Sequence, residues 1–238
     1  MNNPFYSVVV PVYNEEENLK ILNEEIKSVM ETLNESYEII YIDDGSKDNS
    51  VEVLRELKLQ TSQIRVIVFE KNCGQSAALD AGFRKAKGKL IITMDADLQN
   101  DPKDIPLLLS ALENADAAVG WRASRKDSIK KKTTSILGNF FRNLFLGEKI
   151  HDTGCSLKIF KRECVERLKI FKGMHRFLPA LVTMEGYKVV EVKVNHRPRI
   201  YGKTKYGFFD RFLTATPDLF AVMWMKRRTV PYRIKEEI

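Results

Sequence analysis

The first half of the chain alternates two hydrophobic periods. "YSVVVPVY" is a continuous apolar run interrupted by Pro11, the pattern of a strand covered on both faces. Leu19, Leu22, Ile26, Val29, Met30 and Leu33 then recur at helical spacing, behind an acidic first turn of Glu15 to Glu17. "YEIIYID" predicts a second strand and Ser50 to Leu59 a second helix. "IRVIVF" predicts a third strand, Gln75 to Ala86 a third helix, and "KLIITMD" a fourth strand. Strands alternating with helices in this way imply a parallel sheet with right-handed crossovers.

After Trp121 the rhythm changes. Residues 124–150 are basic and then aromatic, in "KKKTTSILGNFFRNLFLG". A strand-like "SLKIFKR" follows, then a short helix near Phe177 to Glu185 and another strand in "YKVVEVKVNHRP". The remainder, Arg199 to Ile238, reads as loop plus an aromatic amphipathic segment. No repeat, low-complexity tract or linker divides the chain. The expected organisation is one α/β catalytic domain over residues 1–206, with a ligand-binding half (1–121) and an acceptor half (122–206). An amphipathic segment over 207–238 completes it.

Composition narrows the partners. The 238 residues hold 39 Lys and Arg against 32 Asp and Glu, a formal charge of +7. That excess points to anionic partners: nucleic acid, a membrane surface or phosphorylated substrates. Three cysteines (Cys73, Cys155, Cys164) include no CxxC, which argues against a disulfide framework and for a reducing compartment. The N-terminal apolar run is too short for a signal sequence, and no window approaches the roughly 18–20 apolar residues of a membrane span. The reading is a soluble or peripheral protein.

The chemistry sits at strand ends. Open parallel sheets bind ligands beyond the carboxyl ends of their strands. Three early strands end in Pro11-Val12-Tyr13-Asn14-Glu15, Asp43-Asp44-Gly45-Ser46 and Asp95-Ala96-Asp97. A single Asp at a strand end is more often a helix cap or turn former. Five carboxylates converging on one edge repel one another unless a cation sits among them, and Asp95 and Asp97 are placed to aim at one ion. No GxGxxG is present. "GFRKAKGKL" misses the P-loop spacing and precedes a strand instead of following one. The three histidines show no zinc spacing. Oxygen ligands alone suit Mg²⁺ or Mn²⁺, and those ions suit a diphosphate.

"VVVPVYNEEENL", "DDGSKDNS", "NCGQSAALDAGFRKAKGKLIITMDADLQNDP" and "YGKTKYG", in that order, resemble the family 2 glycosyltransferases of the GT-A fold. More narrowly they are similar to the branch of dolichyl-phosphate mannose synthases and bacterial polyprenyl-phosphate glycosyltransferases. The resemblance implies a Rossmann-like, mostly parallel central sheet flanked by helices. It implies that Pro11, Tyr13 and Glu15 line the base and ribose pocket and that Asp44 hydrogen-bonds the nucleobase. Asp95 and Ala96 would meet the nucleotide sugar, while Asp97, Gln99 and Asp95 would hold Mg²⁺ or Mn²⁺ on the diphosphate. Asp101-Pro102 would open the next helix as cap and first-turn proline. The expected activity is inverting, metal-dependent transfer of a sugar from a UDP- or GDP-linked donor.

The acceptor rests on the second half. The resemblance places an acceptor phosphate near Arg122 and the loop Arg199 to Lys205, with Arg125, Arg197 and Lys203 adding charge; Thr204 keeps the hydroxyl of the serine usual there. Asp152 matches a position read in the family as a base or as an organiser of the acceptor site, so Asp97, Asp152 and Arg122 are the candidate catalytic residues. His175 and Arg176 are further cleft candidates. The expected acceptor is a polyprenyl phosphate at the cytoplasmic membrane face. Phe208, Phe209, Phe212, Leu213, Leu219, Phe220, Val222, Met223 and Trp224, followed by Lys226-Arg227-Arg228, predict a peripheral contact with anionic lipid. The same stripe would also suit packing on the domain itself. Two rivals stay open: transfer to a sugar hydroxyl, with Asp152 as general base, and a basic nucleic-acid-binding protein. The second leaves the acidic strand ends unexplained.

Overall fold

A computed structural model describes residues 3–123, 150–166, 168–201, 208–229 and 236 of the chain. The first half follows the expected alternation. Strand β1 (Tyr6–Val12) leads to α1 (Glu16–Thr32), β2 (Tyr37–Asp43) to α2 (Ser50–Gln60), and β3 (Ile64–Val68) to α3 (Gln75–Lys85). β4 (Leu90–Thr93) is followed by a 3₁₀ turn at Pro102–Asp104 and α4 (Ile105–Ala111), and then by β5 (Ala117–Trp121). The second half adds β6 (Lys158–Lys161), α5 (Arg162–Glu166), α6 (Leu178–Met184), β7 (Val189–Lys193) and α7 (Phe208–Arg228).

The seven described strands form one sheet in the order β3-β2-β1-β4-β6-β5-β7. All neighbours are parallel except at β6, which runs antiparallel to both β4 and β5. The expectation of a mostly parallel sheet holds. The reversed strand lies inside it, where hydrophobic periodicity carries no sign of direction. α5 was not expected: "SLKIFKR" leaves the sheet after Lys161 and turns directly into helix.

Two apolar layers cover the sheet. Val8, Val10, Ile39 and Tyr41 pack with Leu19, Leu22 and Ile26 of α1 and Leu54 of α2. Val9, Ile40 and Ile42 pack with Ala78, Leu79 and Phe83 of α3 and with Leu178 and Leu181 of α6. Successive strand residues thus serve opposite layers, which is why these strands read as unbroken apolar runs. α7 divides its stripe: Val222 is buried and Leu219 and Met223 join the second layer, whereas Phe220 and Trp224 stand exposed. Nothing in the described residues is long and apolar enough to cross a membrane as a helix.

Sequence order along the sheet reverses between β1 and β4, and the parallel strands β1, β2 and β4 all end at that edge. This is where an open α/β sheet leaves a crevice. α3 reaches it by lying very close to the sheet: a Cβ built on Gly82 would stand 2.3 Å from Val9 Cγ1 and 3.1 Å from Ile42 Cδ1. Replacing Gly82 by Val is therefore expected to push α3 outward and to cost roughly 1–3 kcal/mol despite the better helix propensity. Urea unfolding of the G82V protein checks this; a midpoint at or above the parent's would contradict it.

Candidate active site

The loops after β1 and β2 are sewn together before any ligand is considered. Ser46 Oγ accepts the Asn14 amide (2.9 Å) and Asn14 Oδ1 accepts the Lys47 amide (2.7 Å). Asp48 accepts from Glu16 N (3.2 Å), and Glu16 in turn accepts from Asn49 N (2.8 Å). Asn14 holds φ 52°, a left-handed conformation that Asn tolerates better than most residues. Glu15 is buried, accepting Asn18 Nδ2 at 2.6 Å. A cavity of about 450 Å³ opens beside these loops. Tyr13, Asp43, Lys47, Phe69, Glu70 and Asn72 are among its lining residues. Pro11 lies one residue from the end of β1, paired with Ile42.

Asp44 spends its carboxylate on protein. Oδ1 accepts Cys73 N (2.6 Å), and Oδ2 accepts Gly74 N (2.8 Å) and Asn72 Nδ2 (3.0 Å). Burial pushes its pKa up, the two backbone bonds pull it down, and the net shift is upward. Asp43 Oδ1 likewise accepts the Ser46 amide. The three acidic strand ends lie along one edge of the sheet, as expected, but their carboxylates are also engaged by protein groups. Glu15, Asp43 and Asp44 hold the loops that frame the crevice, and among the described residues no three acidic, His or Cys side chains gather as a metal cluster. Asp95 and Asp97 remain.

These two stand just beyond β4. Asp95 is held from both sides: Gln75 Nε2, at the start of α3, donates to Oδ1 (2.7 Å), and the Asp95 amide meets Ser156 Oγ (3.2 Å). Burial, then the neighbouring charge of Asp97, pushes its carboxyl up to about 6. Ala96 is buried. Leu98, also buried, sits at φ 60°, in the left-handed region that a leucine seldom adopts. That turn brings the Gln99 amide back onto Asp97 Oδ1 at 3.2 Å. Asp101 caps the 3₁₀ turn through Lys103 N (3.0 Å), with Pro102 at its first position; the α-helix itself starts three residues later than expected.

The predicted acceptor cations that lie among the described residues, Arg122 and Arg199, are found on carboxylates. Arg122 forks onto Asp152, with Nε to Oδ2 at 2.7 Å and a terminal nitrogen to Oδ1 at 2.9 Å; its own amide adds a third bond at 3.3 Å. Burial pushes the Asp152 carboxyl up, but the hydrogen bonds and charge of Arg122 together hold it below the ordinary value. Arg199 reaches Asp97 Oδ2 at 2.5 Å. Arg197 is bound instead to Glu25 (2.8 Å) and Asp101 (2.7 Å), a bridge that ties its loop to α1. Arg125, Lys203, Thr204 and Lys205 lie outside the described residues, as do the side chains of Phe208, Phe209, Phe212 and Leu213. His175 meets Ser76 Oγ at 2.8 Å in the first turn of α3, next to Gln75.

Four contributors were not anticipated: Gln75, Ser156, Lys158 and Glu191. Lys158 is 4% exposed in the central strand β6, its ammonium on the Cys155 carbonyl. Burial lowers its pKa against the opposing pull of Cys155, Asp95 and Asp152. A charged residue between Leu157 and Ile159 in an apolar run was the visible signal.

The residues present fit a divalent ion. Two neighbouring carboxylates at one strand end, one of them held above its ordinary pKa even with Lys158 and Arg122 nearby, form an oxygen donor set, and Mg²⁺ or Mn²⁺ takes few protein ligands when a diphosphate supplies the others.

The profile of glycosyl transferase family 2 matches residues 7–169. The chain is 39% identical over 227 residues to a dodecaprenyl-phosphate galacturonate synthase of Rhizobium johnstonii, covering 93% of this chain and 67% of that protein. It is 40% identical over 204 residues to an undecaprenyl-phosphate 4-deoxy-4-formamido-L-arabinose transferase of Photorhabdus laumondii, covering 85% and 63% respectively. The chain thus spans about two thirds of the length of these curated relatives. The fold is similar to that of the mannosyltransferase PcManGT from Pyrobaculum calidifontis, solved with GDP-Man and Mn²⁺. There the TM-score is 0.65 at 17% identity, over 98% of this chain and 67% of that one. It is also similar to glucosyl-3-phosphoglycerate synthase from Mycobacterium tuberculosis, solved with Mn²⁺, UDP and phosphoglyceric acid. That match has a TM-score of 0.70 at 17% identity, over 96% and 80% of the two chains. At these identities the structural likeness is one of fold.

Asp95 makes the stability of the metal-free protein depend on pH. The folded protein keeps this proton up to about pH 6, whereas the unfolded carboxyl releases it near 3.8. Stability contributed by this group therefore falls as pH rises through that window and stays lowered above it. Asp95→Asn is expected to be more stable than the parent at pH 7, by on the order of 1 kcal/mol, with the difference gone by about pH 4. Denaturant unfolding in chelator at both pH values checks this, and an Asn variant less stable at pH 7 contradicts it.

Proposed function

The chain belongs to glycosyl transferase family 2, and on that premise we propose that it moves a sugar from a UDP- or GDP-linked donor to a polyprenyl phosphate, with inversion at the anomeric carbon. The observation that carries the acceptor assignment is the Arg122–Asp152 fork. A hydroxyl acceptor must lose a proton as it attacks, so it calls for a general base. Asp152 is poorly suited to that: its carboxyl is held below its ordinary value and both oxygens are committed to one guanidinium. A phosphate acceptor is already an anion and needs a positioned cation instead. Asp152 then orients Arg122, the guanidinium receives the phosphate, and the names of the relatives point the same way.

The donor occupies the crevice between the cavity beside Tyr13 and the Asp95–Asp97 corner. Asp97, Gln99 and Asp95 would hold Mg²⁺ or Mn²⁺, which when bound would neutralise charge on the departing diphosphate as a Lewis acid. Gln75 and Ser156 fix Asp95 so that its position does not depend on the ligand. Arg199 shares Asp97 with that site. A divalent ion at Asp97 would compete with this guanidinium for the carboxylate.

The setting is the cytoplasmic face of a membrane. Phe220 and Trp224 stand exposed one helical turn apart on α7, directly before Lys226, Arg227 and Arg228. An aromatic pair beside a basic cluster suits an anionic lipid surface.

Asp97→Asn is expected to abolish transfer while leaving the unfolding midpoint near the parent's, and excess chelator should do the same to the parent. Arg122→Ala is expected to raise the KM for polyprenyl phosphate about 10- to 100-fold, the scale of a lost charge-assisted bond, with nucleotide affinity unchanged. Label transfer to polyprenyl phosphate is compared with transfer to the matching polyprenol. Equal use of the alcohol, with R122A behaving as parent, would hand the assignment to the hydroxyl-acceptor transferase.

A further inference from the structure

Glu191 lies on β7, opposite Val119 of β5, and its side chain is 11% exposed. Neither its strand nor its spacing marks it as part of a site. Its carboxylate nevertheless does one concentrated job. Oε1 accepts the amides of both His151 (2.7 Å) and Asp152 (2.9 Å), and Oε2 meets His151 Nδ1 at 2.7 Å. One partly buried carboxylate thus makes three hydrogen bonds to two consecutive residues, accepting both of their amides, and the second of these residues is the partner of Arg122. The His151 ring is in addition stacked on Trp121, with centroids 4.5 Å apart, and Trp121 immediately precedes Arg122.

We infer that Glu191 is a positioning residue for the acceptor end of the crevice: by binding the backbone of His151 and Asp152 it fixes where the Asp152 carboxylate stands, and hence the direction of the Arg122 guanidinium. The inference rests on the reading of Arg122 as the acceptor-phosphate cation. The physical reason is orientation. A fork contact tolerates little angular error, because both parallel bonds must be kept at once. Asp152 carries the fork from a loop, not from a strand or helix. The ladder β6-β5-β7 supplies the rigid frame that the loop lacks, with Lys158, Val119 and Glu191 in one register row across it. Glu191 transmits that frame to Asp152 without touching substrate.

The test separates positioning from plain stability. Glu191→Ala is expected to raise the KM for polyprenyl phosphate about tenfold while the calorimetric affinity for UDP or GDP stays within about twofold of the parent's. Glu191→Gln retains an oxygen that accepts both amides and is expected to recover most of the loss. The E191A/D152N double variant is expected to be no worse than D152N alone, because both act through one carboxylate. Should E191A fail to fold, Glu191→Asp keeps the charge but shortens the reach and is expected to raise the same KM. A parent-like KM in E191A or E191D, an equal loss of nucleotide affinity, or additive losses in the double variant would each overturn the inference. R122A in the same assay distinguishes the two failures. A normal phosphate KM in R122A removes the acceptor reading and this inference with it, whereas an impaired R122A beside a normal E191A removes this inference alone.

Discussion

Two carboxylates at the end of one buried strand are electrostatically expensive, and the crevice is organised around that expense. Burial and the charge of Asp97 raise the cost of ionising Asp95 in a place partly shielded from water. The protein answers with fixed partners: Gln75 and Ser156 on Asp95, Arg199 on Asp97, and Lys158 buried beneath. None of these removes the mutual repulsion. What remains is a buried carboxylate, Asp95, held above its ordinary pKa despite Lys158 and Arg122 nearby, and a divalent ion carrying a diphosphate would favour its ionised form.

The same principle sorts the other acids. A carboxylate that accepts two or three short hydrogen bonds from backbone amides serves as a structural clamp, as Asp44 does for residues 72–74 and Glu191 does for His151 and Asp152. Acidic strand ends therefore have two fates, clamp or ligand site, and a string such as "DDGS" does not say which. Asp44 can hold its loop and still offer a lone pair, since a carboxylate has about four acceptor positions. The clamp reading and the nucleobase reading are compatible there.

The legible part of the fold was the part in which neighbours in sequence are neighbours in space. β1 to β4 and their helices follow from apolar runs and helical spacing because each βαβ unit is local. The insertion of β6 between β4 and β5, reversed, joins residues near 90, 118 and 160, and no local pattern encodes such a pairing. The site divides likewise. Asp95, Asp97 and Arg122 stood out as charges following apolar strands. Gln75, Ser156 and Glu191 act through contacts spanning 20, 61 and about 40 positions, and their residue types are ordinary where they occur. Lys158 was the exception, visible as a charge inside an apolar strand.

That long-range wiring bears on how the crevice works. Arg122 and Arg199 come from chain segments 77 positions apart, yet each is held on an acid of the same edge. Were these guanidiniums left free, their strong charge would attract any phosphate, including the donor's own diphosphate, into the acceptor position. Holding them on Asp152 and Asp97 lowers that indiscriminate attraction, because an anion must compete with a carboxylate already in place. The two competitions differ. Asp152 places both oxygens on Arg122 and is itself held through its amide by Glu191 of β7. Asp97 gives Oδ2 to Arg199 and Oδ1 to the Gln99 amide and stands beside Asp95, so any cation drawn to that pair would compete with Arg199 for it. Arg122 is thus held by an acid that the sheet positions, and Arg199 by an acid whose neighbour is a second carboxylate.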